Sequence, residues 1–392
     1  LLKEAAERNP DVIAARREAD AAASRVEPSA ALDDPMLEAG LINVPTGSWS
    51  LSREDMTMKM IGISQRLPYP GKRALRREAA TREADAVAIN AREALNRVQR
   101  DVKVAYFELW LADESIRISE ANLGVLRQLL SLAEARYGVG QGTQADVFKA
   151  QTQLSRMEEE RLKLGRERPA LEAELARAIG RPEAAITPQA PGLPLPALRL
   201  ESLKAAARGS RPQLAAQQRM VDRGTAQVDL ARKDYYPDFD VRLQYGQRDN
   251  YLGMKRDDMV SITVAINLPV WGETKRDPKV SEAEAGRSQA QVMLQARLNE
   301  VDAMLRQQVS AAEQGLRSLR LYDGSLVPQA RLASDASLSA YRVGRVDFFT
   351  LLDSRMTAFN AEVGRAAALV AYNKALAEIE FLTGTALEGG KQ

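Results

Sequence analysis

The stretch from Lys72 to Tyr137 constrains the fold of this chain more than any other. It contains no proline and a single glycine, Gly124. Along it, apolar or small residues recur at alternating intervals of three and four, with one missed interval: Leu95, Val98, Val102, Ala105, Leu109, Ala112, Ile116, Leu123, Leu126, Leu130, Ala133 and Tyr137. This spacing predicts one helix that packs lengthwise on other helices. A helix over these 66 residues would be roughly 100 Å long, which is too long for a compact globule.

A second stretch of 66 residues, from Arg276 to Tyr341, predicts another long helix. Its apolar positions are Leu298, Val301, Leu305, Ala312, Leu319 and Leu326. Pro278 stands at its start, and a kink is expected at Pro328. Aromatic residues make up 5% of the chain and charged residues 28%, and this composition is typical of coiled coils.

Four short segments predict β-strands. Met36–Val44 and Met56–Leu67 flank a polar turn and predict a hairpin. In Pro237–Gln247 and Val260–Leu268, apolar residues alternate with polar or small ones. This alternation gives each of these two strands one apolar face.

Glycine-rich turns follow both long helices. Tyr137-Gly138-Val139-Gly140 begins the first turn, and Tyr341-Arg342-Val343-Gly344 repeats it at an offset of 204. After the first turn, Gln144–Ile179 predicts a return helix in which Pro169 is expected to cause a kink. The return helices would run back along the long ones.

The chain therefore predicts an internal duplication. The Leu-Pro-x-x-Gly sequence of residues 67–71 recurs at residues 268–272, and shorter helices are predicted at 1–26 and 200–234. We assign a first repeat to residues 1–180, a linker to 181–199 and a second repeat to 200–392.

The residues that the chain lacks exclude several classes of function. There is no cysteine and no histidine, which removes disulfides, thiolate chemistry, the usual zinc sites and the commonest general base. We therefore predict that the chain is not an enzyme and has no cofactor. Acidic and basic residues nearly balance at a net charge of +2, so a nucleic-acid partner is not indicated. The sequence opens inside a helical pattern, so a processed or trimmed N-terminus is expected.

No apolar run approaches the roughly 20 residues of a membrane-spanning helix, so a chain that crosses a bilayer would do so with strands. Four strands of about 10 residues would span a bilayer but are too few to close a barrel, so closure would require several chains. Tyr69, Tyr235, Tyr236 and Trp271 stand at strand ends, where a belt of interfacial aromatic residues would lie.

Two clusters near the strands have ordinary interpretations. Met56, Met58 and Met60 recur with the strand period, and thioethers are soft ligands for Cu(I). Side chains that fill a lipid-facing or lumen-facing surface are the favoured interpretation, and we predict no metal site. The basic residues Lys72, Arg73, Arg76 and Arg77 are expected to lie in solvent at the start of the long helix, or to contact lipid.

The paired Tyr-x-Val-Gly turns and Leu-Pro-x-x-Gly junctions resemble those of the TolC-like outer-membrane factors, the exit ducts of tripartite efflux and type I secretion systems. The resemblance covers essentially the whole chain, and Leu67-Pro68-Tyr69-Pro70-Gly71-Lys72-Arg73 is most similar to the heavy-metal efflux branch (CusC- or CzcC-like). It implies a mainly α fold with a transmembrane β-barrel. A homotrimer would form a 12-stranded barrel, four strands per chain, from residues 36–67 and 237–268. Residues 72–179 and 276–384 would form a long periplasmic α-helical barrel.

The resemblance also implies a function, a location and partners. The chain would be a passive exit duct for metal ions or drugs in the outer membrane of a Gram-negative bacterium. Its partners would be a periplasmic adaptor protein, an inner-membrane transporter of the RND type and outer-membrane lipid.

Candidate site residues lie at the turns. The resemblance places adaptor docking at Gly138, Val139, Gly140, Gly142, Arg342, Val343 and Gly344, although turn geometry alone explains the glycines. It implies a latch in which Asp146 on one turn binds Tyr341 and Arg345 on another, and a constriction at Asp353. A second acidic position expected there is Thr350 in this chain.

Two other classes of protein stay open at this point. A periplasmic adaptor also has a long helical hairpin, but it would carry one hairpin between β-rich halves rather than two. A soluble coiled-coil scaffold would have no use for the purely apolar face of Val260–Leu268.

Overall fold

The computed structural model describes residues 1–182, 185–250 and 253–387. Residues 183–184 of the predicted linker, and residues 251–252 and 388–392 of the predicted second repeat, lie outside this range. Most of the described chain is helical. The helices are α1 (Leu2–Arg8), α2 (Pro10–Ser24), α3 (Val26–Ala30), α4 (Lys72–Gly138), α5 (Gln144–Ile179), α6 (Leu200–Ser210), α7 (Pro212–Lys233), α8 (Asp277–Leu321), α9 (Val327–Arg342) and α10 (Phe348–Thr383).

The first long helix and its return helix form as predicted. Helix α4 is uninterrupted from Lys72 to Gly138, one residue beyond the predicted end. Helix α5 has the predicted bounds and continues through Pro169. Among the helices that the structure describes, none combines the length and the apolarity needed to cross a membrane.

The second long helix also forms, with helical residues from Gly272 to Arg342 without a break and a π-helical turn just before Pro328, where a kink was expected. Two π-helical turns, Gly272–Arg276 and Tyr322–Leu326, precede α8 and α9. Each lies just before a proline, Pro278 or Pro328. Proline lacks an N–H and its ring clashes with the carbonyl four residues earlier. That carbonyl lies inside the π turn in both cases, where the wider turn accommodates the ring.

The two shorter predicted helices are interrupted. Residues 1–26 form α1, α2 and the start of α3, and residues 200–234 form α6 and α7. Asn9 before Pro10, and Arg211 before Pro212, are extended with ψ of 125° and 120°. A residue before proline is pushed out of the helical region, which explains both breaks.

Within the described residues, four strands form one antiparallel sheet in the order β1-β2-β3-β4. They are β1 (Met36–Ile42), β2 (Met58–Leu67), β3 (Phe239–Gln247) and β4 (Met259–Ile266). Each of the four lacks two of the residues predicted at one of its ends, and β4 also begins one residue earlier than predicted, at Met259. Met56 precedes β2, so the predicted row of three methionines on one strand is reduced to Met58 and Met60.

The described chain divides into two compact units. Unit 1 comprises residues 1–16, 90–214 and 296–392, and unit 2 comprises residues 17–89 and 215–295. The core of unit 1 is helical. One cluster joins α1, α2, α4 and α5 around Val12 and Leu109, and another joins α6, α8 and α10 around Leu305 and Tyr372.

Unit 2 contains the sheet together with the ends of the helices that enter and leave it. Helices α7 and α8 approach each other closely in unit 2, as shown by the distance of 3.0 Å that a Cβ at Gly224 would have from Cα of Arg287. Glycine at this position permits the contact between the two backbones.

Candidate functional site

Two turns of unit 1 have the same backbone geometry. We call residues Tyr137–Thr143 the first turn and residues Tyr341–Asp347 the second turn. Gly140 and Gly344 both have φ of 73°, a conformation that favours glycine. Gly140 N donates to Tyr137 O, and Gly344 N donates to Tyr341 O, each at 3.0 Å. The predicted match between the turns therefore extends to their hydrogen bonds.

Carboxylates stabilise the helix that leaves each turn. Asp146 and Thr143 form a capping box, in which Thr143 N donates to Oδ2 of Asp146 at 3.2 Å and Asp146 N donates to Oγ1 of Thr143 at 3.2 Å. Asp347 caps α10 by accepting from Thr350 N at 2.8 Å. Hydrogen bonds from Thr350 lower the pKa of Asp347. These carboxylates are therefore structural caps in the single chain.

Arg136 connects the first turn to the second. Its Nη1 donates to the carbonyl oxygen of Tyr341, and its Nη2 donates to the carbonyl oxygen of Gln141 at 3.1 Å. The guanidinium carbon lies 4.7 Å from the centroid of the Tyr341 ring. This residue was not among the sequence-predicted site residues.

Tyr341 is buried at the base of the second turn, with 3% of its surface exposed. Its ring packs edge-on against Phe348 at a centroid distance of 5.6 Å. Its hydroxyl has no hydrogen-bond partner within the described residues. Burial raises the pKa of the Tyr341 phenol, and the negative charge of Asp146 raises it further.

The predicted latch residues are not hydrogen-bonded to one another in the single chain. Asp146 is engaged with Thr143, and Arg345 is exposed, with no side-chain hydrogen bond or ion pair in the described ranges. Asp353 is exposed on α10, one turn after Thr350. A latch between turns of different chains and a constriction at Asp353 stay predictions.

The ends of both turns present apolar side chains to solvent. Val139 is 70% exposed and Val343 is 69% exposed. Gly138, Gly140, Arg342 and Gly344 are also exposed, and Gly142 is half-buried. The predicted docking residues therefore form accessible surfaces.

One face of the sheet in unit 2 is apolar and exposed. Leu37, Ile63, Leu243 and Ile262 lie side by side across the four strands, and 47–73% of each residue is exposed. In the adjacent row, Ile61, Tyr245 and Val260 are paired. An apolar face of this extent on a sheet of four strands indicates a surface that is covered in the assembled protein.

The opposite face of the sheet is polar. An ion pair of 3.5 Å joins Arg242 to Glu38, and the hydroxyl of Ser64 donates to Glu38 at 3.4 Å. Thr263 pairs with Arg242 on the same face. The sheet thus separates an apolar surface from a charged one, as the strand alternation predicts.

The predicted interfacial aromatic residues all lie at the end of the sheet where the helices begin. The Tyr69 and Tyr236 rings are stacked at 4.6 Å, and the Tyr235 hydroxyl donates to Asp277. Trp271 is 68% exposed. The helix start predicted to be solvated contains a buried residue instead: the Lys72 side chain is 4% exposed and binds Asp238 at 2.8 Å.

Comparison with known proteins identifies the family of the chain. The family model described as outer membrane efflux protein matches residues 1–181 and 203–385. The chain belongs to the outer membrane efflux protein family. This match confirms the predicted efflux function and the predicted location in the outer membrane of a Gram-negative bacterium. It favours these over the adaptor and scaffold alternatives.

The names of two relatives of this outer membrane efflux protein refer to different substances. The chain is 24% identical to the cobalt-zinc-cadmium resistance protein CzcC of Cupriavidus metallidurans, over 75% of the chain and 69% of CzcC. It is 23% identical to the pyoverdine export outer membrane protein OpmQ of Pseudomonas putida, over 77% of the chain and 65% of OpmQ. The chain thus spans about two thirds of the length of these two relatives.

A solved structure has the same fold. The outer membrane protein VceC of Vibrio cholerae matches with a TM-score of 0.83 at 19% identity, over 99% of this chain and 96% of VceC. The resemblance inferred from the turns and junctions is therefore confirmed at the level of fold as well as of family.

Proposed function

We propose that this efflux protein acts as a homotrimeric, passive exit duct. The observation that supports this most directly is the open sheet, since β1 and β4 are its two edges. Unpaired strand edges are not tolerated in lipid, and four strands are too few to close on themselves. Three copies would supply 12 strands, with the apolar face toward lipid and the Glu38–Arg242 face toward the lumen.

Oligomeric state and conductance together test the duct. The detergent-solubilised protein should have the mass of three chains plus bound detergent by light scattering, and it should form conducting channels in planar bilayers. A monomeric protein that still resides in the membrane would overturn the closure argument, and a trimer that does not conduct even when Asp146 and Arg345 are substituted would overturn the duct.

We also propose that the chain arose by internal duplication. The order of helix, two strands, long helix, turn and return helix in residues 2–179 is followed again in residues 200–383. The identical φ values of Gly140 and Gly344 support the same relation. The long helices of both halves would form the periplasmic barrel.

The ends of the two turns are proposed to dock a periplasmic adaptor that links the duct to an inner-membrane transporter. Val139 and Val343 support this because both are apolar and highly exposed. Replacing both with aspartate should abolish in-cell crosslinking to the adaptor while leaving the trimer intact. Leu162→Asp, at an apolar residue on α5 that is 61% exposed, is the matched control. Equal loss of crosslinking in the control would reject specific docking at the turns.

The same turns are proposed to close the entrance, with Asp146, Tyr341 and Arg345 as latch residues between chains. Substituting Asp146 and Arg345 together should raise conductance, and unchanged conductance would reject the latch. Three copies of Asp353 would form an acidic ring that favours cations. Asp353→Asn should therefore lower cation selectivity, measured as a reversal potential, whereas Asp335→Asn on α9 should not.

Metal ions are the proposed cargo, with drugs as the second candidate. The support is the similarity of residues 67–73 to the heavy-metal efflux branch and the relationship to CzcC. A strain that lacks the protein should become more sensitive to cobalt, zinc or cadmium salts. Sensitivity that increases for drugs alone would overturn the proposal for metals.

A further inference from the structure

The side chain of Arg136 links the first turn to the second. It stands in the last turn of α4, and its guanidinium is half-buried between the two turns. One N–H group donates to the carbonyl of Gln141 in its own turn at 3.1 Å, while another donates to the carbonyl of Tyr341. The cation also lies over the Tyr341 ring at 4.7 Å. Two hydrogen bonds and a cation–π contact thus act on one group.

Both turns lie close to Arg136, the first beside its Cβ and the second beside its guanidinium. A Cβ at Gly142 would lie 3.2 Å from Cβ of Arg136, and a Cβ at Gly344 would lie 3.4 Å from its Nη2. The carbonyl of Tyr341 accepts a hydrogen bond from Gly344 N as well as from Arg136. The guanidinium is therefore bonded to the same carbonyl that sets the geometry of the second turn.

The first half of the chain supplies this arginine, and the second half has no equivalent residue. At the offset of 204 that matches the turns, Ala340 stands at the position of Arg136, and Tyr137 at the position of Tyr341. Alanine has no side chain to make the reciprocal contact. In agreement, Tyr137 is 49% exposed, whereas Tyr341 is 3% exposed. Tyr341 thus combines burial in an apolar cluster with the arginine contact, and Tyr137 has no equivalent arginine.

We propose that Arg136 is the positioning residue of the closed entrance: it holds the carbonyl and ring of Tyr341, and with them the second turn, against the first turn, and opening requires this contact to break. The proposal rests on the proposed function, in which these turns form the entrance of the duct. Arginine is specifically required, because a planar fork can donate to two carbonyls while it stacks on a ring, and lysine cannot do this.

Conductance of the purified full-length protein in planar bilayers tests this role. Arg136→Ala should raise the open fraction about tenfold, since a hydrogen bond to a charged group contributes on the order of a factor of ten to an equilibrium. Arg136→Lys keeps the charge but not the fork, and it should raise the open fraction nearly as much. Arg127→Ala, at an exposed arginine of the same helix with a long ion pair of 3.9 Å, should behave as the wild type.

A distance measurement separates gating from loss of folding. Spin labels at Val139 and Val343 of one chain, diluted with unlabelled chains, should move apart in Arg136→Ala while the trimer and its helix content persist. Wild-type channels together with unchanged conductance and label distance in both Arg136 variants would overturn this proposal alone. A protein that forms no channels even when Asp146 and Arg345 are substituted would overturn the proposed function, and this inference with it.

Discussion

Replacing Lys72 with methionine should lower the free energy of unfolding by about 3 kcal/mol, because it removes a buried cation that two partly buried carboxylates share. The Lys72 amino group is 2.8 Å from Asp238 and 3.4 Å from Asp234, and it donates to the carbonyl of Tyr236 at 3.2 Å. The Asp238 side chain is only 12% exposed. These contacts join the start of α4 to the start of β3.

The size of the expected loss in unfolding free energy depends on the partners that each carboxylate retains in the variant. Asp238 still accepts from Tyr69 N at 2.9 Å and lies 3.5 Å from Arg66, and Asp234 keeps its ion pair with Lys279. Breaking a fully buried pair costs about 3–5 kcal/mol, and these remaining partners place Lys72→Met at the lower end. Removing the buried charge as well, in Lys72→Met/Asp238→Asn, should recover part of the loss.

Urea denaturation of the detergent-solubilised protein, followed by tryptophan fluorescence, measures the effect. Arg77→Met is the matched control, because Arg77 pairs with Glu27 at 2.6 Å while both side chains are more than half exposed. An exposed pair contributes about 1 kcal/mol or less. Equal losses in Lys72→Met and Arg77→Met would refute the argument that burial, and not charge alone, makes Lys72 important.

Three further predictions concern the turns and the sheet. Gly344→Ala should cost about 1–2 kcal/mol in urea denaturation, since φ of 73° is strained for alanine. Because the pKa of Tyr341 is raised, its contribution to stability is present below a pH of about 10 and lost as pH rises through the folded-state value. Tyr341→Phe should remove that alkaline loss, and a wild-type pH profile in the variant would contradict this. Ile262→Arg on the apolar face should cost about 2–4 kcal/mol and impair membrane assembly, whereas Ser261→Arg on the polar face should be tolerated; equal effects would reject a lipid-facing surface.

The long helices and the strands could be predicted because their signals are local and repeat many times. Helix α4 carries its apolar interval from Leu95 to Tyr137, so a single missed interval does not change the interpretation. The breaks before Pro10 and Pro212 were predictable by the same local logic, since proline restricts the residue that precedes it. The π turns before Pro278 and Pro328 were less accessible. A proline in a long periodic pattern predicts a disturbance, but the surrounding packing decides whether the helix ends, bends or widens.

Side-chain contacts between distant segments could not be predicted from the sequence. Lys72 looks like one of several basic residues at a helix start, and only its proximity to Asp238, 166 positions later, shows that it is buried. Arg136 is similarly one of many arginines, and its partner Tyr341 lies 205 positions away. A possible signal was the difference between Arg136 and Ala340 in two otherwise matched turns. Such a difference indicates a role beyond the turn, although not which role.

The matched turns separate what a local sequence determines from what its neighbours determine. Gly140 and Gly344 share one φ value, because the backbone of a short turn depends on the residues within it. Tyr137 and Tyr341 occupy matched positions, and yet Tyr137 is about half exposed and Tyr341 is buried in an apolar cluster with Phe348, because burial depends on which side chains pack against the ring. Arg136 adds a contact over the Tyr341 ring, and alanine at position 340 has no side chain that could do the same for Tyr137. Two turns with the same backbone can therefore make different side-chain contacts. The residue that causes the difference, Arg136, lies in the helix before the turn rather than in the turn itself.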